Sequence, residues 1–126
     1  MRVLAFVLAV AGAVLASTVS IAEPAMTAGD LQQLCAGTDH VSVNACRIYI
    51  LGVTQGITVG MSMAAGKSHT ARPCVPPGVS AEELEQKVKV KLDQRLSANP
   101  ADKDLDAAGF IGTTLTATFH CPKAAP

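Results

Sequence analysis

Tryptophan is absent, tyrosine occurs once and phenylalanine three times, so a tight interface on this chain has few of the aromatic anchors that dominate binding energies. Neither sign of charge is in excess, because ten basic residues balance ten acidic ones. That removes the electrostatic footprint of nucleic-acid or anionic-lipid binding. Charged residues make up 16% of the chain and hydrophobic ones 49%, a composition that excludes a disordered tail. At 126 residues there is room for one domain. Catalytic signatures are missing as well: no P-loop, no H-E-x-x-H and no serine in a nucleophile-elbow pattern. Enzymatic activity is not expected, and no cofactor is called for.

The amino terminus does carry a signal. Met1-Arg2 precedes thirteen largely apolar residues, Val3 to Leu15, and then a mostly small stretch through Ala22. This is the order of a secretory leader: a short positive start, an apolar run and a small-residue cleavage site. Cleavage is expected before Glu23, or less favourably after Ala16, so residues 1–22 are a signal peptide and 23–126 a single domain. Thirteen residues rise about 20 Å as helix, too short for a hydrocarbon core of about 30 Å. A second uncharged stretch, the nineteen residues Ile48 to Gly66, contains Thr54, Gln55, Thr58, Ser62 and four glycines. Its polarity argues against a membrane span and for the buried central helix of a small bundle.

All four cysteines, Cys35, Cys46, Cys74 and Cys121, follow the leader. An even count behind a secretory signal implies disulfides in an oxidising compartment. A zinc site is disfavoured, because structural zinc takes its thiolates in close pairs and these are spread along the chain. His40, His69 and His120 add no partner at helical spacing.

Four helices can be read. Thr27-Ala28-Gly29-Asp30 is an N-cap pattern with an acidic third residue, opening a short helix to about Ala36. Residues Gly37 to Val41 read as a loop. A second helix runs from about Ser42 to Ala65 with Ile50, Val53, Ile57, Met61 and Ala64 in one apolar stripe. Prolines at 73, 76 and 77 interrupt regular structure until Ser80-Ala81-Glu82-Glu83, a capping box. Leu84, Val88, Leu92 and Leu96 then step by four, with Lys87, Lys89, Lys91, Asp93, Gln94 and Arg95 as the wet side. Asn99-Pro100 ends that helix, and Leu105, Ala108, Ile111, Leu115 and Phe119 mark the fourth. An antiparallel third and fourth helix would bring Cys74 beside Cys121 and leave Cys35 to close the first hairpin with Cys46, although three connectivities are open to four cysteines. The expected fold is therefore all-α, a small bundle of about four helices stapled by two disulfides.

Three further features are notable. Gly52, Gly56 and Gly60 line one side of the second helix, where each costs about 1 kcal/mol against alanine; close approach of another helix, within the bundle or across a dimer, would explain them, with packing inside the bundle the favoured reading. The acidic groups Glu82, Glu83, Glu85 and Asp102, Asp104, Asp106 sit near helix starts, where the helix dipole favours carboxylates. The segment Lys67 to Arg72 lies between Gly66 and Pro73-Cys74; it reads either as an ordinary solvated connection or as a loop whose held ends let its middle project into a cleft.

The order of motifs is specific. Cys46, Tyr49 and Gly52 form C-x-x-Y-x-x-G, preceded by Cys35 and followed by Cys74-Val75-Pro76, then Gly78-Val79-Ser80 ahead of an amphipathic helix and a close on Phe119-His120-Cys121-Pro122. Over about Leu31 to Pro122 this resembles the Rap/Tai family of immunity proteins, which protect bacteria from peptidoglycan amidases delivered by type VI secretion. The resemblance implies a periplasmic, mostly helical binding protein, commonly a homodimer, that occludes the catalytic cleft of a cognate amidase and has no catalytic residues of its own. The extra residues between Gly66 and Cys74, His120 and the Ala/Pro tail depart from many members. Within this reading the candidate contacts are Lys67, His69 and Arg72. The competing classes are an acid-stress chaperone of the periplasm and a structural envelope protein without an effector partner.

Overall fold

The computed structural model describes residues 25–63 and 73–121. The expected signal peptide and the segment bearing Lys67, His69 and Arg72 lie outside the described residues. Four α-helices are present, α1 (Ala28–Ala36), α2 (His40–Met63), α3 (Ala81–Ala98) and α4 (Ala107–Thr118), with a short 3-10 helix at Pro100–Asp104. The fold is all-α, and every helix packs on the other three.

Each helix starts where a side chain can take the free amides of its first turn. Thr27 and Asp30 form a reciprocal capping box on α1, with Asp30 N–H donating to Thr27 Oγ1 at 3.2 Å and Thr27 N–H donating to Asp30 Oδ2 at 3.0 Å. Asp39 accepts from the amides of Val41 and Ser42, both at 3.0 Å. This carboxylate starts α2 at His40, two residues before the Ser42 start expected from sequence. Ser80 accepts from Glu83 N–H at 3.1 Å, and Asp106 accepts from Gly109 N–H at 2.6 Å.

Hydrogen bonds donated by Thr27, first from its backbone and then from its side chain, hold Asp30 below the usual carboxylate range. For Asp39 the Ser42 hydroxyl has the largest effect in the same direction, followed by the Ser42 amide. A carboxyl whose folded value is depressed contributes stability above its unfolded value and loses it as pH falls through the folded value. Thermal unfolding between neutral pH and strong acid should therefore show a melting temperature that starts to fall near pH ~4. Asp39→Asn should flatten part of that acid limb, and an unchanged limb would show that Asp39 is no more stabilised folded than unfolded.

The core is aliphatic. Leu31 and Cys35 of α1, Cys46 and Ile50 of α2, Leu84, Val88, Leu92 and Leu96 of α3, and Ile111 and Leu115 of α4 are buried in one cluster. All four positions of the α3 stripe are thus inside, as their spacing predicts. Of the α4 set, Leu105 lies outside the helix and is exposed, because the 3-10 turn after Asn99-Pro100 ends there. Buried Thr54 is satisfied within α2, its hydroxyl donating to the Ile50 carbonyl at 2.7 Å.

The disulfides pair Cys35 with Cys46 and Cys74 with Cys121, with Cα atoms 5.1 and 4.8 Å apart. This is the pairing that the antiparallel arrangement of helices predicts. Extended backbone clamps both ends of α4: Thr27 pairs with Asp106 and Pro73 with His120. Ala28 N–H donates to Leu105 O at 2.8 Å, Ala107 N–H to Met26 O at 3.0 Å, and Cys74 N–H to Phe119 O at 2.8 Å.

Two sequence readings need correction. The Gly52-Gly56-Gly60 stripe packs on nothing among the described residues, since a Cβ built at any of the three has no neighbour there within 4 Å. Close helix packing is admitted instead by Gly112 of α4, whose added Cβ would lie 3.2 Å from Ile57 Cδ1, and by Gly29 of α1, whose added Cβ would lie 3.2 Å from Lys103 Cβ on the 3-10 helix. Likewise, α2 is not buried all round. It is central and packs inward through Cys46, Ile50 and Thr54, while its other face is open.

Candidate functional site

After the segment that carries Lys67, His69 and Arg72, the chain continues in a connector tied down at two points. Pro73 pairs with His120 and Cys74 is bonded to Cys121. Val75 and Val79 pack on the core. Between them Val79 N–H donates to Pro76 O at 3.3 Å, closing a turn with Pro77 and Gly78 at its centre. Gly78 has φ +95°, a left-handed conformation that suits glycine at the third position of a type II turn. Lys87 of α3 stands 5.7 Å from the centre of the Phe119 ring, close enough for a cation–π contact over the same end.

A second ordered element joins α2 to α3. Glu85 is only 2% exposed, its Oε2 accepts from Arg47 Nε at 2.8 Å, and Lys89 Nζ lies 3.9 Å from Oε1. From sequence Glu85 reads as a helix-start carboxylate beside Glu82 and Glu83. Its actual role is a buried ion pair, and the partner is 38 residues away, beyond the reach of any local pattern. With Arg47 turned inward, the opposite side of α2 presents Val41, Ile48, Gly52, Val59 and Met63 to solvent.

A third feature is an open groove of about 860 Å³ between α3 and α4, walled by Lys91 and Arg95 on one side and by Phe110, Thr113 and Thr118 on the other. Arg95 is tied to Asp102 on the 3-10 helix, which leaves Lys91 as the more available cation. Partial burial, followed by the charge of Asp106, raises the Tyr49 hydroxyl above its ordinary value, so Tyr49 is neutral at physiological pH. Among the described residues no three histidine, cysteine, aspartate or glutamate side chains are grouped to hold a metal ion.

The arrangement is a cross-linked scaffold with surfaces. Residues 27–121 match the Rap1a immunity proteins. The chain belongs to the Rap1a immunity protein family. No curated protein and no solved structure matches it. The matched span begins at the α1 cap and ends at the second cysteine of the outer bridge, so it takes in every helix of the described residues and both disulfides. An immunity protein acts by holding a partner, and a Rap1a member accordingly implies an inhibitor.

Of the residues expected to carry binding in this Rap1a protein, Lys67, His69 and Arg72 lie outside the described residues. Cys35, Cys46, Cys74 and Cys121 are in their two bridges. Tyr49 of the C-x-x-Y-x-x-G motif packs against the core and Gly52 faces solvent. What sequence reasoning missed is the open face of α2. Its signal was a second apolar line on that helix, Val41, Ile48 and Val59, running opposite the stripe through Ile50 and Ile57.

Proposed function

We propose that this protein is a periplasmic immunity protein, released from its leader before Glu23, that binds a peptidoglycan amidase delivered by type VI secretion and blocks its catalytic cleft. Membership of the Rap1a immunity family across residues 27–121 carries this reading. The segment between α2 and Pro73 supplies the blocking contacts through Lys67, His69 and Arg72, and two copies of the chain form the active unit. The amidase and the two-copy assembly come from the Rap/Tai resemblance. The connector supports the role of the segment: a covalent bridge and a backbone pair fix where it returns to the fold, and a contact held at its base loses less entropy on binding.

The test is direct. Oxidised protein starting at Glu23 is mixed with amidase effectors from type VI systems, and release of peptidoglycan fragments is followed. A stoichiometric complex in which cleavage stops is the expected result. His69→Ala and Arg72→Ala together should weaken inhibition at least tenfold, in keeping with the loss of two central polar contacts. Full inhibition by the double variant would overturn the segment assignment, and failure to bind any amidase would overturn the amidase reading.

A further inference from the structure

The groove between α3 and α4 has one wall without charge. From Ala107 to Thr118 α4 contains no ionisable residue, and Asp106, at the end beside Leu105, is the only acid among the described residues that line the groove. Its α4 lining runs along one helix face from Asp106 to Thr118, a rise of about 18 Å. The hydroxyl protons on that wall are spent inside the helix. Thr113 donates to the carbonyls of Gly109 and Phe110 at 3.1 and 2.9 Å, and Thr118 donates to that of Thr114 at 2.8 Å. A polar ligand would lose water there and gain no donor in return. What is left uncovered is apolar: Leu105 is 44% exposed, Ala98 and Ala117 are exposed, and Phe110 is half-buried.

The α3 wall is cationic, and its charges are unequally matched. Lys87 lies 3.6 Å from Glu83, Lys89 lies 3.9 Å from Glu85, and Arg95 is bonded to Asp102. Lys91 has no carboxylate among the described residues; its contact is the side-chain oxygen of Gln94 at 3.4 Å. It is exposed and lines the groove, with Arg95 one turn further along. An anion seated at Lys91 gives that cation the counter-charge its neighbours already have. Asp106 would repel the same anion from the other end, which fixes its direction. Past Lys91, α3 rises about 10 Å to Ala98, and the exposed apolar side chains of that end lie along this stretch.

We propose that this groove is a binding site for a fatty acid, a single-chain anionic amphiphile with its carboxylate at Lys91 and its acyl chain lying along Phe110 toward Ala98 and Leu105. The volume of about 860 Å³ falls within the roughly 300–1,000 Å³ of small-molecule sites. Charge at one point and apolar surface beyond it is the pattern of the ligand itself. With basic and acidic residues in balance, the chain has no field to draw it onto an anionic bilayer, so the occupant is one molecule and not a membrane surface. The site goes beyond the immunity reading and does not depend on an amidase.

Titration calorimetry of the oxidised protein with dodecanoate, below the concentration at which it forms micelles, tests the site. Binding should saturate at one molecule per protomer, and lengthening the chain from octanoate to dodecanoate should tighten it by up to about fourfold per methylene. Lys91→Gln should weaken binding about fivefold, the size of an exposed ion pair. Ala98→Phe fills the groove at an exposed position and should weaken it roughly tenfold, because the space for the chain is taken. Lys103→Gln, which removes a cation outside the groove, should leave it unchanged. Circular dichroism confirms that each variant is folded. Dodecyltrimethylammonium, the same chain with the opposite charge, should bind more weakly by about tenfold. Equal binding of the two amphiphiles, or binding indifferent to both Lys91→Gln and Ala98→Phe, would overturn the proposal. Absence of saturable binding would overturn it too and leave the groove to a protein segment; amidase inhibition is read separately and stands or falls on its own.

Discussion

Replacing Cys46 by serine is expected to remove most of the stability of this domain. The Cys35–Cys46 bridge closes a loop with a sequence separation of 11 residues, which by chain entropy contributes about 3 kcal/mol. Cys46 is also fully buried within the aliphatic cluster, so a serine there buries a hydroxyl whose outlet is the Ser42 carbonyl one turn back, as Thr54 uses that of Ile50, at a further cost of about 1 kcal/mol. Together these approach the lower end of the net stability of a domain this size, about 5 to 15 kcal/mol. Cys46→Ala should recover the second part and not the first. The outer bridge differs. Cys74–Cys121 spans 47 residues and contributes about 4 kcal/mol by the same reasoning, yet both sulfurs belong to residues that are partly open to solvent. Thiolate attack needs access. A dithiol added to native protein should therefore open Cys74–Cys121 first, and alkylation followed by mass spectrometry should find label on Cys74 and Cys121 before Cys35 and Cys46. Simultaneous opening of both bridges would mean that shielding by the core is not what protects the inner one.

The second large effect concerns the ion pair between α2 and α3. Arg47→Ala should cost about 3 kcal/mol, because it strands a carboxylate that is buried beneath two helices. Lys89 near Oε1 and the one-third exposure of the Arg47 side chain place the effect at the low end of such losses. Replacing both partners, as in Arg47→Leu with Glu85→Leu, should return most of it, since an apolar pair of similar volume removes the buried charge along with its partner. Urea unfolding of the two single variants and the double variant gives the coupling directly. A cost below about 1 kcal/mol for Arg47→Ala would place the pair with ordinary surface salt bridges. The pair also sets which side of α2 is open, for it anchors the one charged residue of that helix against α3.

These two features differ in how far sequence discloses them. The disulfide pairing follows from helix order: breakers at Asn99-Pro100 and caps at Ser80 fix an antiparallel third and fourth helix, and the cysteines fall together. The Ser80 cap, the Thr27 box and the α3 stripe are local patterns, and local patterns survive folding intact. Glu85 illustrates the opposite case. Beside Glu82 and Glu83 it looks like one more acid at a helix start, and only the packing of α2 on α3 turns it inward to Arg47. The glycine stripe is visible in the sequence but its side is not, because α2 carries apolar residues on two opposite lines and periodicity does not say which line meets the core. The order of the short motifs around the four cysteines, C-x-x-Y-x-x-G among them, suggests the family, which the match over residues 27–121 bears out.

The clamps on α4 bear on how such a chain is made. Met26, Thr27 and Ala28 find their backbone partners at Ala107, Asp106 and Leu105, and Pro73 and Cys74 find theirs at His120 and Phe119. Pairings of such long sequence separation form late. While the ribosome is still adding α4, the start of α1 has nothing to pair with and the outer cysteine bridge has only one end. The fold thus closes only once nearly its last helix has emerged.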